Sequence, residues 1–297
     1  MAGDQLRKVS SYDRLFDPSL THQYNLSIRL NPDGLSFSVY SLPQKKYIAV
    51  ESFIFSETFQ HSGGALATTV YLDHIAKTID EKPWLVADFN KRVLICTSNI
   101  YTLVPEPFFD GSKITDYLEF VHKVSPEEAV LSSKLQSLDS YLVYGVNNQI
   151  IEELNNWFPN APLLHHTGAL LESILPVFKH IEPSDVVFVN ISKKLMDILV
   201  LRDNSLHFIN SFEWRASSDI VYFLLFVLDQ HSLNPGKINV LLMGEIESGD
   251  ESHQLIGKYV RNVDFLTRND PFVKGYALEL IAKSRFYDLL NPALCEL

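Results

Sequence analysis

Residues 24–41 read YNLSIRLNPDGLSFSVYS, and residues 184–214 read SDVVFVNISKKLMDILVLRDNSLHFINSFEW. In the first stretch Leu26, Ile28 and Leu30 alternate with Ser27, Arg29 and Asn31, and Leu35, Phe37 and Val39 alternate with Ser36 and Ser38. That is the period of two expected of strands. Between them lies Asn31-Pro32-Asp33-Gly34. Proline presets φ and glycine accepts a positive φ, so the segment predicts a hairpin. A third strand is expected over 47–55, after a turn at 43–46. In the second stretch Val186–Ile191 and Leu195–Leu201 are nearly continuous apolar runs, as strands covered on both faces require. A turn at 202–205 leads into a third strand with Leu206, Phe208, Phe212 and Trp214 on one face.

Working outward, helices and strands alternate after each meander. A helix over 65–79 has Thr68, Leu72, Ile75 and Ile79 on its inner face at three- and four-residue spacing. Strands are expected at 84–88, 91–97 and 100–104, a helix at 114–122, strands at 129–136 and 141–146, and a helix at 148–157. A short strand at 162–165 and a helix at 168–180 follow. After the second meander come a helix at 216–232, a strand at 238–242, a helix at 250–259, a strand at 263–266 and a helix at 272–284. The order β-β-β-α-β-α-β-α is that of a ribonuclease-H-like domain. A Rossmann half would instead open with β-α-β. The expected organisation is an N-terminal arm (1–20), a first ribonuclease-H-like domain (21–167) and a second (168–297), repeated in pattern and not in residue identity. The arm is polar, with Leu15, Phe16 and Leu20 as docking anchors or as a terminus laid on the surface.

The chain has 297 residues, 46% apolar and 21% charged, in the globular range. Its net charge of −11 argues against a nucleic-acid role, which needs a basic footprint. Lys45-Lys46, Lys91-Arg92 and Lys193-Lys194 are scattered pairs of the kind found at hairpin tips. The cysteines, Cys96 and Cys295, are far apart and lack metal spacing, which is the usage of a reducing compartment. The N-terminus has no signal-type apolar core, and the most apolar run, Ile220 to Leu228, falls short of the roughly 20 residues that span a bilayer. The cytoplasm is the expected compartment.

The stretch FDPSLTHQYNLSIRLNPDGLSFSVY, with the later LDSYLVYGVNNQIIEELNNWFPNAPLLHHTGALLESIL, resembles an uncharacterised Bacteroidetes family, domain of unknown function 3822, over almost the whole chain. The resemblance implies an actin/hexokinase/Hsp70-type fold of two tandem ribonuclease-H-like domains, with a ligand cleft between them in family members. More distantly the layout is similar to the actin-like scaffold proteins of type IV pili and type II secretion. The family brings no activity with it.

Actin-like ATPases hold Mg²⁺ and phosphates with two hairpins of the form Asp-apolar-Gly-(Ser/Thr). Here Arg29 stands at the position matching the first Asp, and Asn31 at that of the Gly. Asp33 could be a displaced substitute for that Asp, although Asp-Gly after Pro is what a tight turn needs in any case. In the second hairpin the matching positions are Asn190 and Ser192, followed by Lys193 and Lys194, which could attract an anion. The adenosine-contacting Gly-Gly is reduced to Gly244 in Met243-Gly244-Glu245. Read as a P-loop, Gly244–Glu251 has Asp250 where the lysine belongs and is crowded by Glu245, Glu247 and Glu251, a cradle that repels phosphate. There is no Gly-x-Ser-x-Gly, His-Glu-x-x-His or CxxC. His165 and His166 adjoin at a strand end and read as core or cap residues, while His61 stands alone beside Gly63-Gly64.

These readings favour a non-catalytic actin-fold scaffold with degenerate nucleotide loops, no cofactor, no metal and a protein partner whose identity and stoichiometry the sequence does not give. The alternative is a divergent nucleotide-binding protein or kinase using Lys193, Lys194 and Gly244. A third is an enzyme whose site is assembled from residues distant in sequence. For the scaffold, the candidate docking residues are Leu15, Phe16 and Leu20 and the Pro105-Glu106-Pro107-Phe108-Phe109 loop, since aromatics are enriched where binding energy concentrates. The competing reading has Phe108 and Phe109 plugging the core beneath their loop.

Overall fold

The computed structural model describes residues 6–55, 64–178, 185–267, 279, 281 and 284–290. The chain divides into two compact units. One holds Met1–Glu172 with Pro271–Leu280 and Asp288–Leu297; the other holds Ser173–Asp270 with Ile281–Tyr287.

The first unit carries a six-stranded sheet. Its strands are β1 (Leu6–Tyr12), β2 (Tyr24–Asn31), β3 (Gly34–Ser41), β4 (Lys46–Ile54), β5 (Lys91–Cys96) and, after the insert described below, Leu163–His165. β2, β3 and β4 form the antiparallel meander, β5 joins β2 in parallel, and Leu163–His165 joins β5 in parallel. Asn31 pairs with Gly34 across the hairpin, so Pro32 and Asp33 form its two-residue tip. A side chain at Gly34 would collide with the Phe53 carbonyl, which is why glycine closes this turn. Helix α1 (Gly64–Glu81) buries Thr68, Leu72, Ile75 and Ile79, the face that the spacing predicts.

Two segments differ from their sequence reading. Residues 84–88 are not a strand: Pro83–Val86 is a 3₁₀ turn started by a proline that lacks an N–H to offer a ladder. Trp84 then packs edge-on against Phe37 and Phe16, at ring-centroid distances of 5.3 and 4.9 Å. Residues 6–12 form an edge strand antiparallel to β4. It is pinned where the Tyr12 hydroxyl donates to Glu51, a fully buried carboxylate that Lys82 Nζ meets at 2.8 Å.

An insert follows β5. Strands β6 (Tyr101–Pro105), β7 (Glu128–Leu135) and β8 (Ser140–Asn147) make a separate sheet in the order β6-β8-β7, crossed by helix α2 (Ile114–Glu119). Val104, Leu118 and Val143 form its core. Helix α3 (Asn148–Trp157) starts where Asn147 Oδ1 accepts from the Gln149 and Ile150 amides. Strand β9 (Leu163–His165) and helix α4 (His166–Phe178) come next.

The second unit repeats the plan. Its strands are β10 (Val186–Ile191), β11 (Leu195–Arg202), β12 (Ser205–Glu213), β13 (Asn239–Gly244) and β14 (Asn262–Phe265), in the order β12-β11-β10-β13-β14. In the first unit β4-β3-β2-β5-β9 has the same order and the same strand directions, with β1 added at the edge. Helix α5 (Ser217–Gln230) is opened by Asp219, whose carboxylate accepts from the Arg215 and Ala216 amides at 2.9 and 3.0 Å. It lays Ile220, Leu224, Val227 and Leu228 on the sheet face of Val189 and Ile198. Helix α6 (Glu251–Tyr259) joins β13 to β14, and a short helix α7 (Tyr287–Leu290) ends the described chain. The expected helix at 272–284 lies outside the described residues. No helix among the described residues is long and apolar enough to cross a membrane.

Candidate functional site

Strand register equates the two hairpins residue by residue. Leu30 lies opposite Cys96 and Ile191 opposite Gly244 across the parallel pairs. The amide after each, Thr97 N and Glu245 N, donates to Leu30 O and Ile191 O at 3.0 and 2.5 Å. Arg29 is therefore the counterpart of Asn190, Asn31 of Ser192, and Cys96 of Gly244. Each sheet also carries a buried polar row at this level: Arg29, Ser36 and Ser52 in one, Asn190, Asp197 and Ser211 in the other.

In the first unit Arg29 Nη1 meets Asp288 Oδ1 at 2.6 Å, with the two side chains 8% and 5% exposed. Ser36 Oγ donates to Ser52 Oγ at 2.9 Å, and Ser38 Oγ donates to the Leu289 carbonyl at 3.2 Å. So α7 covers this polar face of the meander and supplies the anion that Arg29 needs once out of water. Asn31 accepts through Oδ1 from Thr97 Oγ1 at 3.0 Å. Burial pushes the Cys96 thiol up to about 12, so it is inert beside the hairpin.

In the second unit Asn190 Nδ2 donates to Asp197 Oδ2 at 2.9 Å, and Ser211 Oγ donates to Asp197 Oδ1 at 2.5 Å. Ser192 turns inward: its N–H and Oγ both donate to the Leu195 carbonyl at 2.8 Å, and Trp214 Nε1 donates to the Ser192 carbonyl at 2.9 Å. Lys193 and Lys194 form the exposed tip. Gly244 has φ of 90°, and a Cβ there would collide with Ile191 O and come within 2.8 Å of Asn190 Oδ1. Close backbone approach and a positive φ account for this glycine without any ligand.

Elsewhere, Phe108 is 74% exposed, and Phe120 and Val121, just past α2, are 90% and 52% exposed. Tyr117 donates its hydroxyl to the Phe108 carbonyl at 2.6 Å. Phe109 instead stacks on Tyr141 at 3.7 Å. Leu15 is 56% exposed, Leu20 is half-buried, and Phe16 packs against Tyr12, Tyr24 and Trp84. His165 and His166 are buried with ring centroids 4.6 Å apart. Among the described residues no three His, Cys, Asp or Glu side chains converge as metal ligands.

The duplicated 3-2-1-4-5 sheet with its hairpin loops is the actin-like ATPase fold. A crystal structure of a Bacteroides thetaiotaomicron protein with an actin-like ATPase fold and unknown function matches with TM-score 0.74 at 20% identity, covering 95% of this chain and 100% of that one. At that identity it carries the fold and nothing further. A chain of the PilM–PilN type IV pilus biogenesis complex (TM-score 0.49, 12% identity, 82% and 88% covered) and the ethanolamine utilisation protein EutJ from Carboxydothermus hydrogenoformans (0.47, 9%, 86% and 86%) are more distant and carry no argument. The chain belongs to the family described as protein of unknown function DUF3822, whose model matches residues 13–263. No curated protein sequence matches it.

The sequence signalled Arg29 and Asn190 through their places in the hairpins, but not Asp197, which stands inside a run read as continuously apolar. It gave no sign that Asp288 would come back to Arg29 from 259 residues away.

Proposed function

We propose that this protein is a non-catalytic, cytoplasmic scaffold of the actin-like fold, with nucleotide loops turned to structural use and the exposed aromatic face of the insert as the docking surface for a protein partner. The observation that carries the reading is the Arg29–Asp288 pair. Where the fold's ATPases place a metal-organising carboxylate, this chain places a cation, and that cation is buried against Asp288 of α7. Asn190 at the equivalent place is likewise tied to Asp197, and an amide lacks the charge that Mg²⁺ demands. Lys193 and Lys194 support the alternative, a divergent nucleotide binder, only as an exposed cationic tip. Exposed Phe108 and Phe120 support docking, since aromatic residues are enriched where binding energy concentrates.

A photoreactive amino acid at position 108, introduced in the native host, tests the docking half. A single crosslinked protein, absent when the probe is moved to position 66 on α1, is the expected result. Crosslinking no stronger than from position 66 refutes it. Phosphate release from Mg·ATP tests the other half, and turnover abolished by Lys193→Ala would establish the alternative.

A further inference from the structure

A cavity of about 220 Å³ lies in the first unit between the end of β7, strand β9 and the first turns of α4. Leu135, Pro162, Leu164 and Ala169 give it apolar walls, and Glu172 stands in its lining. The Glu172 side chain belongs to a residue only 9% exposed, and its oxygens accept from the backbone N–H and the hydroxyl of Ser137 at 3.0 and 2.6 Å. Two of a carboxylate's roughly four acceptor sites are thereby used. Among the described residues no cation lies within ion-pair distance of it.

The one lysine in the lining, Lys134, is drawn away. Its Nζ meets Glu106 Oε1 at 2.5 Å and sits over the Tyr141 ring. His165, also in the lining, is engaged elsewhere: its Nδ1 accepts from the Thr167 amide at 3.3 Å and its Nε2 lies 3.1 Å from Ser98 Oγ. The pocket therefore combines apolar walls with a carboxylate that no described cation pairs. A buried carboxylate of this kind is costly without a cation, and the chain's net charge of −11 concentrates cations around it.

We infer that this cavity is a binding site for an organic cation: an ammonium head on Glu172, with a compact hydrocarbon body against Leu135, Leu164 and Ala169. A cavity of about 150 Å³ accepts benzene, so this one has room for a benzylammonium or for the end of a lysine side chain. The inference is independent of the scaffold reading, since nothing in it concerns nucleotides or the insert's aromatic face.

The test is titration of the full chain, followed by protein NMR, with benzylammonium and with the uncharged isostere benzyl alcohol. Saturable shifts of Ala169, Gly168 and Leu135 amides are expected with the cation, and about tenfold or weaker binding of the alcohol, the loss of one charge-assisted hydrogen bond. Glu172→Gln, which keeps the shape and both Ser137 contacts within reach, should bring the cation down to the affinity of the alcohol. Equal binding of the two ligands by the natural chain, or no saturable shift in the millimolar range, overturns the proposal even should the variant fail to fold. A second arm uses Nα-acetyl-lysine methylamide. Tighter binding than benzylammonium assigns the site to a protein lysine, and weaker binding assigns it to a free amine.

Discussion

Replacing Asp288 by alanine removes the carboxylate that meets the buried Arg29 guanidinium beneath α7. At 2.6 Å and an effective dielectric of 20 the attraction is about 6 kcal/mol before desolvation is charged against it. Removal of one partner of such a pair costs about 3–5 kcal/mol, because the other charge stays in a medium that solvates it poorly. Replacing both, as Arg29→Met with Asp288→Leu, removes the stranded charge and keeps most of the volume, so the double variant should lie within about 1 kcal/mol of the natural chain or above it. The assay is urea unfolding followed by tryptophan fluorescence in a Trp214→Phe background, where Trp84 and Trp157, both in the first unit, are the remaining reporters. At a slope of about 2–3 kcal/mol/M for a unit of this size, the single variant shifts the first unit's midpoint by about 1–2.5 M. The reasoning fails if Asp288→Ala shifts it by less than about 0.3 M, or if the double variant is as unstable as the single one.

Further outcomes follow from the same geometry. Phe108→Ser should leave stability within about 0.5 kcal/mol while abolishing the crosslinked partner, whereas Phe109→Ala, which loses the Tyr141 stack, should cost about 2 kcal/mol in the same urea assay. Gly244→Ala should destabilise by well over about 1 kcal/mol, since it adds both positive-φ strain and a collision with Ile191 O. Burial, with His207 alongside, holds His231 below its ordinary value. The unfolded chain then binds more protons between the folded value and about 6.5, so stability falls as pH drops through that window. His231→Gln should flatten the urea midpoint between pH 7.5 and 5.5.

Both meanders were legible because their chemistry is local. Asn31-Pro32-Asp33-Gly34 can do little but turn, and Val186–Ile191 is too apolar for anything but a covered strand. Trp84–Val86 misled because its side chains favour strand, while the preceding proline and the aromatic slot beside Phe37 favour a 3₁₀ turn. β1 was missed for the opposite reason. LRKVSSY has one central apolar residue, and its strand form comes from pairing with β4 and from the Tyr12–Glu51–Lys82 cluster, all distant in sequence. The mapping of Arg29 to Asn190 was readable from hairpin pattern, and strand register reproduces it. The partners Asp288 and Asp197, and the charge left uncompensated at Glu172, are properties of packing that no local window contains.

The central claim is that the hairpins no longer serve a nucleotide. Isothermal titration of the purified chain with Mg·ATP, repeated with Mg·ADP, measures this directly. The account predicts no saturable heat up to millimolar nucleotide, weaker than about −4 kcal/mol of binding, and no change on Lys193→Ala. Micromolar, Mg²⁺-dependent binding that Lys193→Ala weakens by tenfold or more would contradict it.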